Sequence, residues 1–88
     1  MAELDLLRSR IDELDEALID LLARRFEVSR RIGEIKRASA LAARDEDREA
    51  QQRARMRALA ARAGLSPELA EAVLQLIVDR VVEEHQRA

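Results

Sequence analysis

Apolar residues recur at steps of three and four through the N-terminal part of the chain, and no proline interrupts them. The stripe consists of Leu4, Leu7, Ile11, Leu14, Leu18, Leu21, Val28, Ile32 and Ile35. This spacing predicts one amphipathic helix from about residue 3 to about residue 38. Position 25 falls on the same stripe, and Arg25 therefore places a permanent positive charge in an apolar seam.

A second helix is predicted after a connection over residues 39–44, where the apolar pattern is lost. Asp45 is a candidate N-cap, and acidic residues fill the turn that follows it. Gly64 is a candidate C-cap, so this helix should cover about residues 45–63.

A third helix should begin at the segment formed by Ser66, Pro67 and Glu68. These residues supply an N-cap, a proline at the first helical position and an acid in the first turn. The helix is predicted over about residues 67–86. Its expected core face is Leu69, Val73, Leu74, Ile77 and Val81.

The fold class is all-α, in one domain over residues 1–88, because the chain has one aromatic residue, two glycines and one proline. A first helix of about 35 residues is about 50 Å long. A compact globule of 88 residues has a diameter of roughly 30 Å. The first helix must therefore protrude, and a second copy of the chain is expected to cover its apolar stripe in a homodimer.

Charge and composition exclude several functional classes. The 16 basic and 18 acidic residues are interspersed and give a net charge of −2, which argues against nucleic-acid binding. Without cysteine and with one histidine, a disulfide framework or a metal centre is not expected. No signal pattern or membrane-length apolar run is present, so a cytoplasmic protein without a membrane segment is expected.

Cations near one face of the first helix are the main candidates for chemistry. Arg25 must be compensated by an anion, either a carboxylate of another helix or a bound ligand, and both alternatives stay open. Lys36 lies three turns further, within about 20° of the same direction. It is the only lysine beside 15 arginines, although a solvated lysine at a helix end would need no ligand.

The start of the second helix brings further charged groups together. Arg48 and Glu49 lie in its first turn, beside backbone N–H groups that suit an anion. A charged helix start without any ligand is the alternative. Arg8 lies on another face of the first helix, about 25 Å from Arg25, so it could reach a common ligand only from a second, antiparallel copy.

The end of the third helix carries the single histidine. His85 continues the apolar face, where a neutral imidazole can donate one hydrogen bond inward. A lone histidine there is more often a satisfied boundary residue than a ligand-binding group. Gln86 is a weaker candidate because its predicted direction faces solvent.

The chain as a whole resembles the all-helical class of chorismate mutases. The resemblance rests on LRSRIDELDEALIDLLARRFEVSRRIGEIK, RDEDRE and GLSPELAEAVLQLIVDRVVEEHQ, in this order. It implies a three-helix protomer in an intertwined homodimer with two active sites, and conversion of chorismate to prephenate in phenylalanine and tyrosine biosynthesis. It implies no cofactor and no metal. Such a reaction needs a dicarboxylate held in its reactive conformer and donors placed at the ether oxygen.

The resemblance also implies roles for individual residues. Arg25 would hold one substrate carboxylate, and Arg8 would do so from the other protomer. Lys36 would donate to the ether oxygen. The remaining contacts would come from the start of the second helix, with Arg48 supporting the anionic substrate and Glu49, helped by Asp45, taking the ring hydroxyl.

Two positions of the third helix depart from the family pattern. Val81 stands where the family usually has a serine that contacts a carboxylate, so the pocket would lose one hydroxyl. His85 stands where a glutamine usually donates to the ether oxygen. It would donate whether neutral or protonated, with a rate more sensitive to pH than a glutamine would give. Gln86 could take this role if the helix were rotated slightly.

Other functions remain open at this point. The same fold would suit an isochorismate pyruvate lyase, which the intact RD-x-x-RE box with Glu49 disfavours, or a 4-amino-4-deoxychorismate mutase, which the sequence does not exclude. The departures at Val81 and His85 keep open a non-catalytic dimerisation or regulatory module. A complex with another aromatic-pathway enzyme is a further expectation, since 88 residues leave little room for an effector-binding domain.

Overall fold

The first helix, α1, spans Ala2–Ala38. In the computed structural model, which describes residues 1–41 and 45–87, it is followed by α2 over Glu46–Ala63 and α3 over Pro67–Arg87. The described residues form these three helices and no strand, as the all-α prediction requires. Part of the expected connection, residues 42–44, lies outside the described residues.

Local signals fix the helix ends. The Asp45 side chain accepts a hydrogen bond from the backbone N–H of Arg48 at 3.0 Å, which makes it the N-cap of α2. Gly64 ends α2 in the left-handed conformation, with φ of 75°. Ser66 Oγ accepts the backbone N–H of Leu69 at 3.2 Å and so caps α3. These ends lie within about one residue of the expected ones.

The core is small and lies mainly between α2 and α3. Its buried side chains are Ala60, Ala70, Leu74 and Val82. The predicted core face of α3 is therefore partly wrong: Leu69 and Val73 are 52% and 42% exposed. The buried face is rotated by about one residue, because small side chains at positions 60 and 70 suit close packing of α2 on α3.

The described part of α1 packs on α3 and makes no comparable contact with α2. All residues from 1 to 21 are exposed, although the apolar stripe runs through them. The molecule measures 57 × 25 × 15 Å and has a radius of gyration of 16.4 Å, against about 12 Å for a compact chain of this length. The N-terminal half of α1 thus projects from the rest of the chain.

Among the described residues, no helix combines the length and the apolar character needed to cross a membrane.

Candidate active site

A cavity of about 230 Å³ lies where α1, α2 and α3 face one another. Each helix supplies part of its wall. The lining residues are Arg25, Ser29, Ile32, Lys36, Asp45, Arg48, Glu49, Gln52, Val78, Val81, Val82 and His85. The cavity therefore brings together seven of the nine residues singled out from the sequence, and Arg8 and Gln86 are the exceptions.

The α1 wall follows directly from helical spacing. Arg25, Ser29, Ile32 and Lys36 are separated by four, three and four residues, so their side chains lie on one face of the helix. Arg25 and Lys36 are half-buried. Two cations three turns apart thus face one cavity.

Arg25 has no carboxylate partner within residues 1–41 and 45–87. Its neighbour Arg24, by contrast, forms a surface ion pair with Asp20 at 2.8 Å. The alternative in which a carboxylate of another helix compensates Arg25 is not realised among these residues. A half-buried guanidinium lining a cavity is a good site for a bound anion.

The α2 wall begins at the N-cap. Asp45 uses Oδ1 to accept the backbone N–H of Arg48, so this carboxylate shapes the first turn as well as lining the cavity. Glu49 is half-buried, whereas Arg48 is exposed at the rim. Gln52 follows one turn after Arg48 and also lines the cavity. The first turn therefore offers acceptors and donors side by side.

The α3 wall is mostly apolar. Val78, Val81 and Val82 line it, so the described wall has no hydroxyl at position 81. The hydroxyl-bearing residue that does line the cavity, Ser29, lies across it on α1. An apolar wall excludes water and strengthens the electrostatic contacts made by the cations opposite it.

His85 lies at the end of this wall, and its Nε2 lies 3.1 Å from the backbone oxygen of Ser29. A carbonyl oxygen only accepts, so Nε2 carries the proton and donates to it. Nδ1 is buried and has no hydrogen-bond partner among the described residues. In the neutral ring the single N–H is therefore already used, and donation from His85 to a ligand stays a prediction.

Two other candidates lie away from the cavity. Arg8 is exposed on the projecting half of α1, about 25 Å from Arg25 along the helix axis. Gln86 is exposed and does not line the cavity, so the slightly rotated α3 that would bring it in is not observed.

Sequence reasoning missed five lining residues as members of the site. They are Ser29, Ile32, Gln52, Val78 and Val82. Helical spacing carried a signal for them, since each lies three or four residues from a predicted site residue on the same helix. Ser29 and Gln52 matter most, because they add polar groups to the walls.

The arrangement suits a small anion. Arg25, Lys36 and Arg48 supply three positive charges, against the carboxylates of Asp45 and Glu49. The positively charged side chains of the cavity come from α1 and the start of α2, whereas α3 supplies the apolar wall. Such a cavity suits a compact acid with more than one carboxylate, and its own acidic groups can accept a hydrogen bond from a hydroxyl of such a ligand.

Comparison with known proteins shows the family of the chain. The chorismate mutase type II family model matches residues 7–86. The T-protein of Enterobacter agglomerans is 41% identical over 78 residues, which cover 89% of this chain and 21% of that protein. The chain thus spans about a fifth of the length of this relative. Because the family model matches nearly its whole length, the chain belongs to the chorismate mutase type II family.

Proposed function

We propose that the protein is a chorismate mutase that converts chorismate to prephenate for the synthesis of phenylalanine and tyrosine. The observation that supports this most concerns the half-buried Arg25, which lines the cavity beside Lys36. Arg25 itself has no carboxylate partner in residues 1–41 and 45–87. A cation left uncompensated by the described residues fits a substrate that brings its own carboxylates.

The reaction is an intramolecular rearrangement. The ether C–O bond breaks while a C–C bond forms within the same molecule, so no atom, proton or electron enters or leaves. Partial negative charge develops on the ether oxygen in the cyclic transition state. Catalysis then consists of holding the compact conformer and stabilising this charge with fixed donors.

The α1 cations fit these two tasks. We assign a substrate carboxylate to Arg25, because a planar guanidinium holds a carboxylate with two parallel hydrogen bonds. We assign the ether oxygen to Lys36, whose ammonium donates from a position three turns along the same wall. An interaction of this second kind strengthens as the bond breaks and therefore lowers the barrier.

The start of α2 fits the opposite side of the substrate. Arg48 adds a positive charge at the rim, and Glu49 provides an acceptor for the ring hydroxyl. Asp45 fixes this turn through its hydrogen bond to the Arg48 N–H. Val81 would pack on the substrate without a polar contact.

We further propose that the active molecule is an intertwined homodimer. The single chain has an accessible surface of 7060 Å², whereas a compact folded monomer of this mass exposes about 5,200 Å². The excess, roughly 1,800 Å² per copy, matches the area buried in an obligate dimer. It lies along α1, where Ile11, Leu14 and Leu18 are more than half exposed.

The dimer would also complete the site. Arg8 is too far from its own Arg25 to share a ligand with it, because the two lie about 25 Å apart on one straight helix. An antiparallel second copy of α1 would bring Arg8 to the other protomer's cavity, where it would hold the second substrate carboxylate. A cytoplasmic location and a complex with another aromatic-pathway enzyme stay predictions.

The substrate is tested with the purified wild-type chain. Chorismate disappearance is followed by ultraviolet absorbance, and the product is identified by chromatography, with isochorismate and 4-amino-4-deoxychorismate assayed in parallel. We expect prephenate from chorismate as the preferred reaction. Preferred turnover of another substrate, or no turnover by a folded dimer, would contradict the proposal.

The dimer is tested by sedimentation at equal protomer concentrations. Leu14→Asp, on the exposed apolar stripe, should convert the dimer to monomer and abolish activity, since it buries a charge in the interface. Leu6→Asp is the matched control, because Leu6 lies on the same helix but off the stripe. A monomeric wild type, or a dimeric Leu14→Asp, would refute this arrangement.

A further inference from the structure

Gly33 is the buried position of α1 in the described structure, and it lies directly against the ring of His85. A Cβ atom placed on Gly33 would lie 2.5 Å from His85 Cδ2 and still closer to Nε2. Real Cβ atoms essentially never show such a separation, so the ring or the helix would have to shift; the three nearest atoms all belong to this ring. The glycine therefore forms a notch in α1 that the imidazole fills.

The polar atoms of the ring are directed at the protein. Nε2 donates to the backbone oxygen of Ser29, one turn before Gly33 on the same helix. The opposite tautomer would place a lone pair against that oxygen, so it is disfavoured. Nδ1 is inaccessible within its own chain. Neither nitrogen is therefore presented to a ligand in the cavity.

The contact between Gly33 and His85 matters for the site because of how the three helices pack on one another. Among the described residues, α1 packs on α3 but makes no comparable contact with α2. Arg25 and Lys36 on α1 nevertheless share a cavity with Arg48 and Glu49 on α2. The gap between these walls is consequently set by how closely α1 docks on α3.

We propose that Gly33 and His85 form a positioning pair that sets this docking distance and thereby the width of the active site. The ring of His85 seats in the notch at Gly33, and its hydrogen bond to Ser29 fixes the register. His85 acts through the α1 wall and offers no polar contact to the substrate. The catalytic consequence rests on the proposed mutase function, whereas the packing consequence does not.

The pair makes the effect of one substitution depend on the other. An alanine within a helix is ordinarily more stable than a glycine. At position 33 the ring of His85 reverses this sign, so Gly33→Ala should lower Tm by about 5 °C or more. In the His85→Ala background the obstruction is gone, and the same change should raise Tm by about 4 °C.

The experiment compares wild type, Gly33→Ala, His85→Ala and the double variant at equal protomer concentration. Gly64→Ala is the matched control, because its cost comes from a positive φ and not from any neighbour within 4 Å. It should lower Tm equally in both backgrounds. Equal loss from Gly33→Ala in both backgrounds, or failure of the double variant to fold, would overturn the pair.

Kinetics distinguish a positioning role from a direct one. Gly33→Ala should lower kcat/KM about tenfold to a hundredfold, with a raised KM as well as a lower kcat, because the binding wall moves. His85→Ala should likewise raise KM as well as lower kcat, because it empties the notch at Gly33. A loss in kcat alone for His85→Ala would instead show a direct donor and overturn the positioning role.

The two proposals fail separately. The change in Tm caused by Gly33→Ala could reverse its sign in the His85→Ala background while the protein does not convert chorismate. This result would refute the mutase function and leave the packing pair intact. Normal mutase activity with additive Tm effects would refute the pair alone.

Discussion

Replacing Arg25 by methionine isolates the cation that the proposed function depends on most. The methionine keeps the apolar stem and removes the guanidinium. Because Arg25 has no ion-pair partner among residues 1–41 and 45–87, the substitution breaks no described salt bridge. The free energy of unfolding should then change by no more than about 0.5 kcal/mol.

The kinetic cost follows from the contact that would be lost. A guanidinium that holds a carboxylate by two charge-assisted hydrogen bonds, each worth about 1.5 kcal/mol, contributes about 3 kcal/mol. This corresponds to a decrease in kcat/KM of about a hundredfold. The assay is the steady-state rate of chorismate disappearance, with Tm measured on the same preparations.

Arg24→Met is the matched control for this experiment. Arg24 is the adjacent residue on α1, its side chain is 70% exposed, and it pairs with Asp20 on the surface. Such a pair contributes about 0.5 kcal/mol or less to the free energy of unfolding. Because Arg24 does not line the cavity, kcat/KM should change by less than about twofold. Equal losses in the two variants, or a loss below about fivefold for Arg25→Met, would refute the assignment of a substrate carboxylate to Arg25.

Three further predictions concern the ether oxygen, the shared site and the capping turn of α3. Lys36→Met should lower kcat about a hundredfold with a smaller change in KM, because its contact strengthens in the transition state; a raised KM at unchanged kcat would contradict this. Arg8→Ala and Arg25→Ala should each be nearly inactive. Co-expression of the two variants should restore about a quarter of the wild-type rate, because about half of the dimers are mixed and each mixed dimer has one intact site. No restoration would exclude a shared site. The pKa of Glu68 is lowered from its ordinary 4.5 by its backbone hydrogen bond, then by the hydrogen bond to Ser66 and by the charge of Arg57. The ionised carboxylate therefore contributes stability above pH 4.5, and this contribution is lost as the pH falls through the lowered pKa. Glu68→Gln should therefore lower Tm at neutral pH but not at strongly acidic pH, and a pH-independent difference would contradict this assignment.

Much of the fold is encoded locally and could be predicted from the sequence. The caps at Asp45, Gly64 and Ser66 act within one turn, and the spacing of apolar residues along α1 repeats over every turn. The cations at positions 25 and 36 share a face for the same reason. Short-range geometry of this kind requires no knowledge of the neighbouring helices.

The contact between α1 and α3 could not be predicted in this way. The hydrogen bond between His85 and Ser29 connects residues 56 positions apart, and it depends on which face of α3 meets α1. A rotation of α3 by about one residue relative to the prediction buries Ala70 and Val82 and leaves Leu69 exposed. Gly33 gave no sign of its role, because a notch is defined only by the side chain that fills it.

The most direct test of the account is a crystal structure of the protein with a stable dicarboxylate analogue of the cyclic transition state. We predict the analogue in the cavity between α1, α2 and α3, with one carboxylate on Arg25, the other on Arg8 of a second copy, and Lys36 at the bridging oxygen. An analogue bound outside this cavity, or bound by one protomer without contact to Arg25 and Lys36, would contradict the central claim.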